Sequence, residues 1–304
     1  MKILILCSKN SGRIAPFITD QVEALQKAGV VCEYFTVEGK GVKGYLRNFI
    51  PMMCKIREFQ PDIIHAHYGL SGLLANLQRK VPVVTTYHGS DINNPKVLRY
   101  SKVSIILSAW NIFVSHRNIE HSRVKGKFSL IPCGVDTDIF RPIERKPVRE
   151  KLNFGDRDKI VLFAGAFDNP VKNPELAKEA VAKVPGARLM EMKGYSRVQV
   201  AELMNAADVC LMTSHSEGSP QFIKEAMACN CPIVSVDVGD VKEVIDGVEG
   251  CYIVERNAED IAEKLKLVFE KNKRTNGREK LIKMGLDSES VAQNIIEIYK
   301  NVLS

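Results

Sequence analysis

No run of 18 apolar residues occurs in this 304-residue sequence, so no segment is long enough to cross a bilayer as a helix. The apolar start, Met1 to Leu6, ends at Ser8 and Lys9. It lacks the length and the small-residue cleavage site of a signal peptide and reads as a first buried strand. Eight cysteines are present, at 7, 32, 54, 133, 210, 229, 231 and 251, but none is paired at metal-type or redox spacing. The nearest approach, Cys229-Asn230-Cys231, fits neither a zinc knuckle nor Cys-x-x-Cys. Several cysteines lie in apolar runs, where a reduced thiol behaves as a small hydrophobe. The expected compartment is therefore the reducing cytoplasm. Signatures of nucleic-acid binding (helix-turn-helix, RNA-binding strands, zinc fingers) are also missing.

What is present is a chain of two-domain length with 45% hydrophobic residues, enough for sizeable cores. Its net charge of +7 is uneven. Residues 1–143 carry 19 basic and 10 acidic side chains, whereas residues 144–304 carry 24 and 26. The first half is expected to meet something anionic, and a membrane surface or phosphorylated glycolipid fits better than nucleic acid.

Short apolar runs alternate with helical patterns along the whole chain. Strands are expected at 2–7, 31–37, 62–66, 82–87, 103–107, 111–115 and 128–131, then at 159–164, 187–191, 208–212, 232–236 and 251–254. Helical spacing covers 16–28, 43–59, 70–79 and 116–123, then 174–183, 197–206, 220–229, 239–246, 257–271 and 289–303. Continuous apolar strands separated by helices mean parallel sheet covered on both faces. The pattern restarts after Arg141 to Arg149, which reads as a linker. The fold class is α/β, with two doubly wound Rossmann-like domains, 1–143 and 144–304, and a last helix at 289–303 that is free to return to the first. Ligands bind such sheets at the carboxyl ends of strands, and with two sheets face to face the natural site is the cleft between them.

The most informative segment is Thr213 to Met227, Thr-Ser-His-Ser-Glu-Gly-Ser-Pro-Gln-Phe-Ile-Lys-Glu-Ala-Met. A strand ends near Met212, a loop holds Glu217 and Gly218, and Ser219 as N-cap with Pro220 as first helical residue would open a helix. Such a start offers unpaired N–H groups and a partial positive charge to a phosphate. Gly218 allows close backbone approach, and Glu225, eight positions after Glu217, is suited to a vicinal diol such as ribose. Spacing alone leaves open an ordinary strand-loop-helix with two surface glutamates.

This segment resembles the glutamate-x7-glutamate motif of retaining glycosyltransferase family 4, down to Glu-Gly-x-Pro and Glu-Ala-Met-Ala. Further motifs follow in order. Asp62 to His67 resembles the family's third-strand motif, Thr86-Tyr87-His88-Gly89 its Thr-x-His-Gly, Ile131 to Asp136 its Ile-Pro-Asn-Gly-Val-Asp, and Glu243 to Gly250 its Glu-x-Ile segment that ends in Gly-x-x-Gly. The resemblance spans nearly the whole chain. It implies the GT-B fold and transfer of a sugar from a nucleotide-diphosphate donor to a glycan or glycolipid, with retained anomeric configuration, in cell-surface polysaccharide or glycoconjugate assembly. It implies that Glu225 binds the donor ribose, that Glu217 with Gly218 and Ser219 binds the transferred sugar, and that Lys172, beyond Gly165, neutralises the diphosphate. It also implies that His88 stands near the donor sugar. The base-contacting loop is placed at Gly194 to Arg197, with Tyr195. No cofactor and no metal are expected.

The sequence departs from the family pattern in places. Ala166 stands where the family has arginine, Lys172 is shifted by one, and Cys133 replaces asparagine. Lys224 or Arg13 are candidate stand-ins for the arginine. The alternatives are a catalytically inactive partner subunit, against which Glu217, Glu225, Lys172 and His88 count, and a GT-B-fold epimerase, against which the resemblance of the linker and Glu-Gly-x-Pro motifs to family 4 counts. Asp136-Thr137-Asp138 resembles the metal-binding Asp-x-Asp of another fold, but a turn with a cap is the favoured reading. His65 and His67 are placed on opposite faces of their strand. His67 and Tyr68 at its carboxyl end, and Ser11, Gly12 and Arg13 after the first strand, are candidates to line the cleft.

Between residues 40 and 57, Leu46, Phe49, Ile50, Met53 and Ile56 form an apolar stripe expected to be core. Lys40, Lys43, Arg47 and Lys55 lie outside it, Tyr45 and Met52 flank the other edge, and Pro51 either kinks the helix or starts a second one. An anionic membrane surface, the inner face of the membrane, is the candidate partner of this region.

Overall fold

The computed structural model describes residues 1–304 and divides them into two compact units, Met1–Gly134 with Ser288–Ser304, and Val135–Asp287. The first holds strands β1 (Lys2–Ser8), β2 (Val31–Val37), β3 (Ile63–His67), β4 (Val83–Tyr87), β5 (Trp110–Phe113) and β6 (Phe128–Leu130). They form one parallel sheet in the order β2-β1-β3-β4-β5-β6. The second holds β7 (Lys159–Phe163), β8 (Ala187–Met190), β9 (Val209–Met212), β10 (Ile233–Val236) and β11 (Cys251–Val254), ordered β11-β10-β9-β7-β8 and also parallel. In each sheet the first strand lies between the second and the third. The chain therefore reverses its direction of winding at β1/β3 and at β7/β9, and such switch points open a crevice at the strands' carboxyl ends.

Alternation along β1 shows why these apolar runs are strands. Ile3, Ile5 and Cys7 pack under the helices Pro16–Lys27 and Ser288–Leu303, through Ile18, Val22, Ile295 and Tyr299. Leu4 and Leu6 face the opposite layer with Met52, Ile56 and Leu74. Both faces exclude water, so no polar alternation is needed. The strand β9 is likewise fully buried along its length.

The boundary falls at Gly134, ahead of the 141–149 stretch read as a linker. Val135, Phe140 and Val148 belong to the second unit's core, and Val135 N donates to Leu286 O at 2.9 Å. Most of that stretch is the helix Arg145–Lys151.

Two element readings are corrected. The expected strand 103–107 is the end of a helix, Pro95–Leu107, started by Pro95 at N1 and by Asn94, whose side chain accepts from Lys96 N. Of its apolar run only Ile105 is buried, while Val103 and Ile106 are exposed. This helix lies against Gly69–Asn76, where a Cβ on Gly69 or Gly72 would stand 2.0 or 2.2 Å from the Ser101 or Ser104 hydroxyl oxygen. The expected helix 43–59 is two, Gly41–Leu46 and Phe49–Phe59, with Pro51 in the first turn of the second. Its buried face is Tyr45, Met52, Ile56 and Phe59; Leu46 and Ile50, expected in the core, are exposed. No helix is long and apolar enough to cross a membrane.

Candidate active site

In the second unit the switch point gathers most of the residues expected from sequence to hold the donor. Lys172 closes a short turn after β7, and the end of β9 clamps that turn. The Thr213 hydroxyl reaches the carbonyls of Lys172 (2.9 Å) and Asn173 (2.8 Å). His215 N donates to Val171 O at 2.8 Å. Gly165 leaves room for the lysine stem, since a Cβ there would lie 2.9 Å from Lys172 Cγ. The ammonium so placed meets Glu217, Nζ to Oε1 at 2.7 Å.

The loop after Glu217 is supported from behind. Gly239 has φ +58, and a Cβ on it would come within 2.5 Å of Gly218 O, so the close approach of the two backbones needs a glycine at 239. Ser219 does not cap the following helix. Its hydroxyl bonds to the Asp240 carboxylate, Pro220 takes the N-cap position with extended φ −71, ψ 119, and the helix begins at Gln221. Asp240 is buried, which raises its carboxyl pKa, and the charge of Lys224 draws it back down. Lys224 itself is fully buried, so it props this loop from within the fold.

Glu225, on the same helix (Gln221–Ala228), is 8% exposed and receives Arg197 Nη1 at 3.4 Å. Arg197 opens its helix behind a capping box of Ser196 and Gln199, and its guanidinium lies over the Phe140 ring at 4.9 Å. Tyr195, two residues earlier, is exposed. Thus Glu217, Gly218, Ser219, Pro220, Glu225, Gly165 and Lys172 lie around the carboxyl ends of β7 and β9 and the helix that follows, and Tyr195 lies in the same unit, in the loop after β8. From sequence Arg197 is expected only as the end of the base-contacting loop, and Asp240 is not expected here. The signals were there in the Arg after Gly194-Tyr195-Ser196 and in the Gly239-Asp240 turn. A cavity of about 500 Å³ lined by Lys271, Lys273 and Arg274 opens at the opposite ends of the strands, beside Pro232 and Gly250. There the Arg274 guanidinium is taken up by the carbonyls of Met204, Ala207 and Cys229.

In the first unit the carboxyl ends of β3 and β4 bring three histidines together. His65 and His67 share a face, because residues two apart in a strand point the same way. Their rings stack with centroids 4.7 Å apart, which corrects the opposite-face placement. His65 is held by Tyr299 at Nδ1 (2.5 Å) and by Thr86 at Nε2 (2.7 Å). His67 Nδ1 lies 3.0 Å from His88 Nε2. Burial lowers the pKa of both strand histidines, His65 to about 3, so both are neutral. His67, expected to line a cleft, is fully buried, whereas His88 is partly exposed between Tyr68 and Phe17, each 4.7 Å away. Tyr68 carries φ +73, a costly conformation for a bulky residue. Its N–H donates to Thr86 O at 2.8 Å, and its carbonyl accepts from Gly72 N at 2.9 Å. Asp91 ties this loop together, accepting from the N–H groups of His88, Gly89 and Gly69 at 2.9–3.0 Å. Ser11, Gly12 and Arg13 form an exposed turn after β1, with Gly12 at φ +87. Asp136 spends one carboxylate oxygen on the N–H groups of Asp138 (2.9 Å) and Ile139 (3.1 Å), the turn favoured from sequence.

Two doubly wound parallel sheets, each with polar residues at its switch point, place the chain in the GT-B class of folds. Solved structures agree along the whole chain. Sucrose-phosphate synthase from Thermosynechococcus elongatus matches with TM-score 0.88 and 18% identity over 99% of both chains. Anabaena HepE, solved with UDP-glucose, matches with TM-score 0.77 and 17% identity over 99% of this chain and 100% of that one. A family model described as Glycosyltransferase Family 4 matches residues 15–139, and one described as Glycosyl transferases group 1 matches residues 161–271. The chain belongs to this family of glycosyltransferases. Among curated proteins, D-inositol 3-phosphate glycosyltransferase of Mycobacterium marinum is 26% identical over 243 residues, 63% of this chain and 52% of that protein. The Mycolicibacterium smegmatis counterpart is 26% identical over 262 residues, 69% and 60% of the two chains. The chain thus spans between half and three-fifths of the length of these relatives.

Proposed function

We propose that the protein transfers a sugar from a nucleotide-diphosphate donor to a hydroxyl of a glycan or glycolipid acceptor, with retention at the anomeric carbon. The observation that carries this reading is the Lys172–Glu217 pair at the β7/β9 switch point, beside Gly165 and Gly218, with Glu225 on the following helix. In the reaction the bond from the anomeric carbon to the diphosphate oxygen breaks, and a bond to the acceptor oxygen forms. The departing diphosphate keeps the electron pair and takes up the proton that the acceptor hydroxyl gives up. Lys172 stabilises the charge that grows on the leaving group, and its three N–H donors allow it to serve Glu217 and a phosphate oxygen together. Glu217 holds hydroxyls of the transferred sugar, and Glu225, partly neutralised by Arg197, accepts from the ribose. No divalent metal takes part in this scheme.

The HepE complexes with UDP and UDP-glucose make uridine donors the first to test. We extend this reading to an acceptor of cell-surface polysaccharide or glycoconjugate assembly, met on the cytoplasmic side with the first unit resting reversibly on anionic lipid. Retention of Glu217, Glu225 and Lys172 weighs against an inactive partner role. The test is time-dependent release of nucleoside diphosphate that requires both a nucleotide sugar and an acceptor. A preceding thermal-shift screen selects the donor, since a ligand at a hundred times its dissociation constant adds about 2.7 kcal/mol of stability. A chain stabilised by no nucleoside diphosphate or nucleotide sugar would overturn the reading.

A further inference from the structure

We infer that His67 is a positioning residue whose ring N–H fixes the tautomer of His88, so that His88 carries its proton on Nδ1 and has no free basic nitrogen. The argument is an accounting of protons. His67 Nδ1 and His88 Nε2 lie 3.0 Å apart, and only one of them carries the hydrogen of that bond. The other nitrogen of His67, Nε2, is buried and has no hydrogen-bond partner. If His88 were the donor, neutral His67 would have to keep its own proton on Nε2, leaving an N–H orphaned in the interior. If His67 is the donor, what remains on Nε2 is a bare lone pair. Buried orphan N–H groups are the rarer and costlier case. The proton therefore sits on His67 Nδ1 and points at His88 Nε2.

The consequence passes to His88. With Nε2 accepting, neutral His88 must be protonated at Nδ1, which lies 3.6 Å from the Cys133 sulfur, a weak acceptor. Protonating Nε2 as well would set two N–H groups against each other unless His67 moved its own proton onto the orphaned position. The stacked rings of His65 and His67 on one side, with Tyr68 and Phe17 on the others, hold this geometry. The buried Asp91 below fixes the His88 and Gly89 backbone through their N–H groups. Buried neutral His65 and His67 add no charge that would favour a His88 cation. His88 is thus built as a neutral ring held in one orientation, and a general-base role for it is excluded. This rests on the reading of His88 as a residue near the donor sugar only for its kinetic consequence; the tautomer itself does not.

Two-bond nitrogen–proton correlation spectra of the full chain, with ¹⁵N-labelled histidine, test it directly. The His88 signals are assigned by their loss in His88→Gln. The expected spectrum shows His88 as the Nδ1–H tautomer, converting to a mixture or to Nε2–H in His67→Phe. His67→Asn, whose amide N–H falls where Nδ1–H stood, should restore the native pattern. In turnover assays His67→Phe should lower kcat about tenfold with donor KM little changed, and His67→Asn should recover most of it. A wild-type His88 in the Nε2–H form, or one unmoved by His67→Phe, overturns the inference even if that variant folds poorly, because the wild-type spectrum decides alone. Donor binding measured on the same samples separates this failure from failure of the transferase reading.

Discussion

The Lys172 ammonium and the Glu217 carboxylate lie 2.7 Å apart with side chains only 24% and 15% exposed. With no donor bound, the pair neutralises itself, so the diphosphate needs to share a lysine that is already in place. Removing the lysine leaves a half-buried carboxylate without that partner and a leaving group without its cation. Lys172→Ala should lower kcat/KM by about 10- to 150-fold, the equivalent of ~1.5–3 kcal/mol for a charge-assisted contact. Glu217→Ala should depress kcat more than it raises donor KM, because the glutamate orients the reacting sugar. Steady-state kinetics of both variants check this, and full activity in either would remove the pair from the mechanism.

Glu225 sits 3.4 Å from Arg197 and is nearly buried. Glu225→Ala should weaken donor binding by ~1.5–3 kcal/mol while leaving the rate at saturating donor close to normal. Calorimetry with nucleoside diphosphate, which lacks the sugar, isolates this contribution. An unchanged dissociation constant would mean that the ribose does not bind there.

Much of this site was legible in sequence because it is local. Glu217, Gly218 and Glu225 lie on one loop and one helix, and the apolar run ahead of them could only be a buried strand. What was not legible depends on contacts between distant segments. Ser219 reads as a cap next to Pro220, yet Asp240, 21 residues on, takes its hydroxyl. Lys224 reads as a candidate stand-in for the missing arginine but is fully buried, its charge acting on Asp240. The run at 103–107 has strand composition, but Asn94-Pro95 starts a helix that passes through it, which a short apolar window does not register. His65 and His67 are a plain error of periodicity, since a period of two puts them side by side.

Chelation should leave turnover intact. In the proposed scheme Lys172 holds the diphosphate, while Asp136 is engaged with the backbone at 138 and 139. Loss of activity in chelator, restored by manganese or magnesium, would defeat this and bring Asp136 and Asp138 back as ligands.

Stability should fall as the pH drops below about 6.5. His65 and His67 are buried neutral with pKa values lowered by burial, His65 to about 3. The unfolded chain takes up protons at these residues near the ordinary imidazole value of 6.5. Their contribution is therefore complete above that pH and is lost as pH falls below it, for His65 down to about 3, at about 1.4 kcal/mol per pH unit. Asp91 works against them. Burial raises its pKa from 3.8 to about 6, so its contribution is present below 3.8 and lost as pH rises through 6. Between pH 4 and 6 it offsets roughly one histidine. Urea midpoints should drop between pH 7.5 and 5, and less steeply in His65→Gln. A flat profile, or one the substitution leaves unaltered, would show that these rings are not held neutral.

The first unit should bind anionic vesicles in a salt-sensitive way. The structure strengthens the case at one point. Leu46 and Ile50, expected in the core, are 49% and 67% exposed, next to exposed Lys43 and Arg47 at the junction of the helices Gly41–Leu46 and Phe49–Phe59. The buried face is carried instead by Tyr45, Met52, Ile56 and Phe59. Two aliphatic side chains beside two cations suit the boundary between headgroups and acyl chains. Each basic residue near an anionic surface contributes about 1 kcal/mol, so Lys40, Lys43 and Arg47 with the two apolar contacts support reversible association. Lys55 is committed to Glu33 at 2.6 Å and is better left out of the count. Co-sedimentation should show binding to phosphatidylserine or phosphatidylglycerol vesicles, weak binding to neutral ones, and loss in high salt. Lys43→Glu with Arg47→Glu should abolish binding, and Leu46→Ser with Ile50→Ser should weaken it, without change in turnover of a soluble acceptor. Equal binding to neutral and anionic vesicles, or binding that survives both pairs of substitutions, would mean that this face is only solvated.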